Sequence, residues 1–343
     1  MIQPASARGS LAHPSDLQLS LENRLADHFG RRRTIVKLAR RPSPYSSSFP
    51  LDEIDVGFDD GSDLQLVMKD FSPGAMAACA RRARPRFLYD PRRETQAYRW
   101  ILPHAPPGTA TWYGAVVSPS TQRYRLFLER VEGLELRHVG AFSVWERTAR
   151  WIARFHRSIS PTQVGRLVER SRVLIYDEAF YWRWLERARG FAAGHREMRR
   201  RVERIARGYA SVVKRLAGMP RTLIHGEFYP CNILIRRTGR LVRVCPVDWE
   251  MAALGPGVID LACLTTGWDQ QGERAMVRAY RAARSDATTR SPRIPHDFWV
   301  DFDCCRLHLA VRMLGWSKAW SPPPQHAHDW LAEAERLAER IQH

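Results

Sequence analysis

The residues of this chain with the most chemical content lie between Leu223 and Glu250. The segment Leu223-Ile224-His225-Gly226-Glu227-Phe228-Tyr229-Pro230-Cys231-Asn232-Ile233-Leu234-Ile235 runs from an apolar strand into a polar loop and out into a second apolar strand. A loop of this kind holds polar side chains at the mouth of a cleft on rigid supports. Val247-Asp248-Trp249-Glu250 follows a further apolar run, Val242 to Val247. A carboxylate leaving a strand end, near an amide and a second carboxylate, suits magnesium, which takes one or two oxygen ligands from protein and the rest from phosphates and water. Phosphoryl transfer needs few other parts: a carboxylate to orient the attacking hydroxyl, and a lysine, fixed by a glutamate, to hold the phosphates. Each part has a candidate here. Glu227 is the base, Asn232 and Asp248 are the metal ligands, and Lys69 with Glu94 forms the ion pair.

Lys69 is one of only four lysines, with Lys37, Lys214 and Lys318. It ends an apolar strand containing Leu64, Leu66, Val67 and Met68, which favours a phosphate-binding role over an ordinary surface position. Asp90 and Glu129 compete with Glu94 as its partner. Glu94 opens the helix expected over Arg93 to Leu102.

The elements that must position these residues follow from periodicity. Leu17, Leu21, Leu25 and Phe29 recur every four residues in a helix over Ser15 to Gly30. Strands are expected at Thr34 to Leu38, Leu51 to Phe58, Leu64 to Phe71 and Arg125 to Glu129, with a Pro/Ser loop from Arg41 to Phe49 and a turn at Asp59 to Ser62. After Gly133 the pattern turns helical. Val144, Thr148, Trp151, Ile152 and Phe155 share one helix face, and Tyr181 to Leu216 reads as two helices. Thr222 to Ile224, Ile233 to Ile235 and Val242 to Val247 are short strands. From Gly257 helices dominate, ending with Trp330 to Ile341. The expected division is an extension over 1–30, a strand-rich lobe over 31–131 and a helical lobe over 132–343.

Composition excludes several classes. A 44% hydrophobic share is too high for a disordered chain of 343 residues. No run approaches 18 uncharged apolar residues, and Met1 to Pro14 lacks the apolar core of a signal peptide, so a cytoplasmic protein without membrane insertion is expected. The six cysteines form no C-x-x-C pair, which argues against zinc or a disulfide framework. The formal net charge is +18, concentrated in segments such as Arg196 to Arg215. A single aromatic residue, Tyr209, falls in that basic run, too few for a stacking platform, so nucleic acid is not expected as the primary partner.

The central segment resembles the aminoglycoside phosphotransferase and choline kinase-like group, small-molecule relatives of the protein kinases. That group carries an H-G-D-x-x-x-x-N loop and a later I-D-W/F-E segment; this chain reads H-G-E-F-Y-P-C-N and V-D-W-E. The step of five from Glu227 to Asn232 matches the Asp-to-Asn step of the kinase catalytic loop. Glu94 to Arg99 resembles the helix bearing the glutamate partner, which implies that Glu94 is the partner of Lys69. Leu128 to Gly133 resembles the hinge, implying that backbone near Glu129 and Val131 meets the base of a nucleotide. Ala153-Arg154-Phe155-His156 and Gly255 to Ala262 also resemble the group, and the likeness runs from Thr34 to Trp330. It implies an α+β, bilobal protein kinase-like fold, ATP (or GTP) with magnesium as cofactors, and a small-molecule hydroxyl acceptor. It implies further that His225 braces the loop rather than moving protons.

Two departures from the group are expected to matter. Glu227 replaces aspartate, adding a methylene that displaces the carboxylate by about 1–1.5 Å; a misplacement of about 1 Å can cost on the order of 10²-fold in rate. The phosphate-covering loop has no glycine. Arg41 to Ser48 takes its place, where Ser46 and Ser47 can donate to phosphate while Pro42 and Pro44 remove donors. The alternative reading is therefore a catalytically impaired, nucleotide-binding pseudokinase. Glu250 is read either as outer support for the metal or as a backbone partner, Tyr229 as packing beneath the loop in preference to lining the acceptor pocket, and His156 as a satisfied core histidine. The tryptophans Trp299, Trp316, Trp320 and Trp330 are read as helical core. A local acidic pocket for a cationic acceptor would draw on Asp269, Asp301 or Asp303.

Overall fold

The structure, a computed structural model, describes residues 16–46, 48–284, 294–316 and 328–342. Helix α1 (Asp16–Phe29) ends at Gly30, whose φ of 66° gives the left-handed turn that closes a helix. Strands β1 (Ile35–Pro42), β2 (Leu51–Phe58) and β3 (Asp63–Asp70) follow, then helices α2 (Ala78–Ala83) and α3 (Arg93–Gln96), then β4 (Trp112–Ser118) and β5 (Arg123–Glu129). The five strands make one antiparallel sheet in the order β1-β2-β3-β5-β4. Alternation divides its residues between two cores. Leu66, Met68 and Phe127 face α1 with Leu21 and Leu25, whereas Leu126 and Leu128 join the main core of the molecule.

The second part is mainly helical. It comprises β6 (Leu134–Glu135), α4 (Phe142–Ser158), α5 (Pro161–Ser171), β7 (Leu174–Ile175), α6 (Glu178–Ala192), α7 (Arg196–Gly218), β8 (Arg221–Ile224), β9 (Ile233–Thr238), β10 (Leu241–Pro246), β11 (Ala253–Pro256), α8 (Val258–Thr265), α9 (Gln270–Arg284), α10 (His296–Leu314) and α11 (Trp330–Gln342). Two small sheets, β10-β9-β6 and β7-β11-β8, hold the polar loops between them. The loop after β8 therefore enters β9 at Ile233, beside Pro246 where β10 ends. The Val247 N–H donates to the Asn232 carbonyl at 2.9 Å, which pins the two segments together.

Three local differences from the sequence reading have physical causes. The first strand continues through Pro42 into the expected loop, because Arg40 and Arg41 form cross-strand ion pairs with Asp52, Glu53 and Asp55 of β2. The helix carrying Glu94 keeps α geometry only to Gln96, widens to a π turn over Ala97–Ile101, and tightens to a 3-10 turn at Leu102–His104, where Pro103 lacks the N–H a helix needs. Strand β4 gave no sequence signal. It lies at the sheet edge and is almost uniformly half-buried, so it lacks the inside-outside alternation that marks a strand. Among the described residues no helix is long and apolar enough to cross a membrane.

Candidate active site

The site centres on Lys69, near the end of β3. Its Nζ lies 2.8 Å from Glu94 Oε2 and 2.5 Å from Asp248 Oδ1. The rival partners are engaged elsewhere: Asp90 pairs with Arg172 at 2.6 Å, and Glu129 with Arg243. Glu94 is thus the glutamate that fixes the lysine, brought in by α3. One ammonium serves two carboxylates, and they divide it unequally. Burial opposes charge at Asp248, but Lys69 outweighs it and holds the carboxyl below its ordinary range. At Glu94 burial prevails over Lys69 and lifts the pKa to about 7. Burial opposes charge on Lys69 too, and the two carboxylates overcome it, so the lysine stays protonated. Asp248 has φ 65°, a left-handed conformation that a short polar side chain tolerates and that turns its carboxylate back toward the lysine.

The loop carrying Glu227 is held from beneath by Asp260, a wholly buried residue of α8. Its carboxylate accepts from the N–H groups of His225 at 2.8 Å and Gly226 at 2.9 Å, and from His156 Nε2 at 3.0 Å. The far side of the His156 ring meets Tyr280 Oη at 2.9 Å, so this histidine is a satisfied core group. His225 Nε2 donates to the Val247 carbonyl at 2.9 Å, and its Nδ1 accepts from the Glu227 N–H at 3.3 Å. That pairing requires the neutral imidazole, and burial, by lowering the His225 pKa, favours the same form. The ring ties the loop to the strand end bearing Asp248. Gly226 has φ 82°, and a Cβ there would lie 2.3 Å from the Met251 carbonyl oxygen, so the loop requires glycine.

Glu227 meets a residue the sequence reading missed. Arg312 of α10 is completely buried and donates from Nη2 to Glu227 Oε1 at 3.3 Å and from Nη1 to the Gly226 carbonyl at 2.9 Å. Burial raises the Glu227 pKa to about 7 despite that arginine. Asn232 donates from Nδ2 to the Glu227 carbonyl at 3.0 Å, which fixes the amide, and its Oδ1 lies 3.6 Å from the Cys231 thiol. The Asn232 Oδ1 and the Asp248 carboxylate are hard oxygen donors on adjoining strand ends. No group of three or more His, Cys, Asp or Glu that could hold a metal occurs among the described residues. The donor set fits an ion that takes two protein oxygens and completes its shell with phosphate and water, as magnesium does.

The other expected residues are placed as follows. The Glu250 carboxylate makes a two-pronged ion pair with Arg84 and no backbone hydrogen bond among the described residues. Ser46 closes its own loop, its hydroxyl donating to the Leu51 carbonyl at 3.1 Å and accepting from the Leu51 N–H at 3.0 Å. Ser47 lies outside the described residues, as does Trp320. Both oxygens of the Glu129 carboxylate bind Arg243 and its N–H donates to the Thr111 carbonyl at 2.9 Å, so neither group is offered to a nucleotide base. Tyr229 is half-buried and packs against the core, with its Oη 3.4 Å from Arg312 Nη2. The three aspartates that could have built an acidic pocket are engaged: Asp301 pairs with Arg215, Asp303 with Arg340, and Asp269 caps α9 through the Gly272 N–H. Trp299, Trp316 and Trp330 pack against the core. Arg312 had one sequence signal, a lone charge inside the apolar run Leu309-Ala310-Val311-Arg312-Met313-Leu314.

The family model described as the phosphotransferase enzyme family matches residues 65–294. No curated protein matches the chain in sequence. Among solved structures, a GDP complex of aminoglycoside 2'-phosphotransferase-IIIa superposes with a TM-score of 0.53 at 12% identity, covering 95% of this chain and 98% of that one. An ethanolamine kinase of Plasmodium vivax gives 0.58 at 10% identity, covering 89% and 82%. A spectinomycin phosphotransferase in complex with ADP and spectinomycin gives 0.54 at 10% identity, covering 94% and 98%. At these identities the likeness is one of fold, and the fold is the expected bilobal, kinase-like α+β architecture.

Proposed function

Because the chain belongs to the phosphotransferase enzyme family, we propose that it moves the γ-phosphoryl group of a nucleoside triphosphate onto a hydroxyl of a small molecule. The observation that carries this reading is the junction at Lys69, where a buried glutamate and the Asp248 carboxylate converge on one ammonium beside the Asn232 strand end. In the proposed step the acceptor oxygen bonds to the γ-phosphorus, the bond from that phosphorus to the β-phosphate oxygen breaks, and the hydroxyl proton passes to Glu227. Lys69, held by Glu94, compensates charge on the phosphate oxygens. Magnesium held by Asn232 and Asp248 supplies further neutralisation of those oxygens when bound. Residues 31–131 form the nucleotide lobe, with hinge backbone near Glu129 and Val131, and residues 132–343 carry the loop and the acceptor site. The setting proposed is cytoplasmic.

ATP and GTP both merit trial as donors, since the similar folds include one complex with GDP and one with ADP. The pairing of Asp301 and Asp303 with arginines favours an acceptor that is not a polycation. Donor-dependent phosphorylation across a panel of hydroxyl acceptors, scored with the intact protein and with Asp248→Ala, tests the reading. Turnover that survives Asp248→Ala sinks it. A second reading, a pseudokinase that binds nucleotide without transfer, is favoured by the self-closed Ser46 loop and by glutamate at the base position. Thermal stabilisation by nucleotide and magnesium with no turnover over the panel would decide for it.

A further inference from the structure

The side chain of Arg312 is 0% exposed, and its one ion pair among the described residues is with Glu227. A buried guanidinium needs a compensating charge, because taking it from water unpaired costs several kcal/mol. Its donors are spread over one surface. Nη1 reaches the Gly226 carbonyl at 2.9 Å and Tyr176 Oη at 3.4 Å; Nη2 reaches Glu227 Oε1 at 3.3 Å and Tyr229 Oη at 3.4 Å. Nε is buried without an acceptor among the described residues. A single rigid plane thus grips both the loop backbone just before Glu227 and the end of the Glu227 side chain.

That geometry bears on the extra methylene. A glutamate has one more rotatable bond than an aspartate, and its carboxylate can swing unless something fixes it. Here Arg312 takes one oxygen, Oε1, while Oε2 receives no hydrogen bond from the described residues. The Glu227 side chain remains 20% exposed, which leaves the second oxygen for an acceptor. An aspartate on the same backbone would carry its carboxylate about 1–1.5 Å short, beyond hydrogen-bonding reach of a guanidinium already 3.3 Å from the glutamate oxygen.

We propose that Arg312 is the positioning residue for Glu227, and that the buried arginine and the longer carboxylate are a matched pair which makes glutamate the working residue of this site. The proposal rests on the phosphotransferase reading above and deepens it. It assigns the departure from aspartate to a gain of fixation by α10.

The test needs no known acceptor, because water can take the phosphoryl group. Steady-state hydrolysis of magnesium-ATP and magnesium-GTP is measured for the intact protein, Glu227→Asp, Arg312→Met, Arg312→Lys and the double variant Glu227→Asp/Arg312→Met. Glu227→Asp and Arg312→Met are each expected to lower kcat on the order of 10- to 100-fold with KM for nucleotide within about twofold. The double variant should be no worse than the poorer single one, since both remove the same fixation. Arg312→Lys should fall between, because it keeps the charge and loses the planar fork. Glu227→Asp should fold whatever Arg312→Met does, since it removes one partly exposed methylene. Turnover by Glu227→Asp at or above that of the intact protein overturns the proposal, as does an unchanged kcat in Arg312→Met. Hydrolysis that persists in Asp248→Ala while both pair variants lose it overturns the metal-site reading and leaves the pairing standing. No hydrolysis in any form overturns both.

Discussion

Lys69 and Asp248, 179 positions apart in the chain, meet at 2.5 Å between Nζ and Oδ1. The first lies on the five-stranded sheet and the second leaves the β10 end in the helical part. This contact, with Glu94 on its other side, closes the cleft on a single cation. Lys69→Met should therefore lower kcat/KM for nucleotide by about 10²- to 10³-fold, the range found when one preorganised charge is removed from a reacting site. Steady-state kinetics with varied nucleotide would check it, and a loss below about threefold would contradict the assigned role.

The loop support is tested at Asp260. Its carboxylate satisfies two backbone N–H groups and His156 within a wholly buried environment. An asparagine has one acceptor oxygen and an amide that must itself find partners. Asp260→Asn should destabilise the protein by about 2–4 kcal/mol. Chemical denaturation gives the loss. Hydrogen exchange at His225 and Gly226 should accelerate more than exchange in the five-stranded sheet, and uniform acceleration would count against a local anchor.

Gly226 offers a stricter check on the loop path. Its φ of 82° and the 2.3 Å approach of a Cβ to the Met251 carbonyl oxygen both exclude a side chain. Gly226→Ala should cost about 3 kcal/mol or more, because the obstructing atom is backbone and cannot swing aside. A melting temperature within a few degrees of the parent would contradict the geometry.

Acid should loosen the contact between the two parts of the molecule at Glu129 and Arg243. Hydrogen bonds from Arg243 hold the Glu129 carboxyl down to about 2, against an ordinary 4.5. A depressed pKa in the folded state stabilises it above the ordinary value, and the contribution is lost as the pH falls from about 4.5 toward 2. Solvent screening at this half-buried pair reduces its worth to about 1–2 kcal/mol. Denaturation midpoints at pH 7 and pH 3 should differ by less in Glu129→Gln than in the parent. Equal differences would remove the pair from the account.

The sequence by itself determined the parts that depend on neighbours along the chain. The alternation of Leu64, Leu66 and Met68 marks a half-buried strand wherever it lies. The strand-loop-strand pattern around Glu227 and the carboxylate at the end of Val242 to Val247 follow from local polarity, so the loop, Asn232 and Asp248 are legible in the order of residues alone. The tertiary structure decided which charges meet. Asp90, Glu94 and Glu129 are all carboxylates that compete for Lys69 on paper, and the packing of α3 against the Trp249–Met251 turn and the pull of Arg172 and Arg243 on the other two settle it for Glu94. Arg312 lies 85 positions from Glu227, and Arg84 lies 166 from Glu250. No periodicity connects residues so far apart. Their pairing is set by which buried charge finds an uncompensated opposite charge once the helices have packed, a condition that exists only in the folded chain.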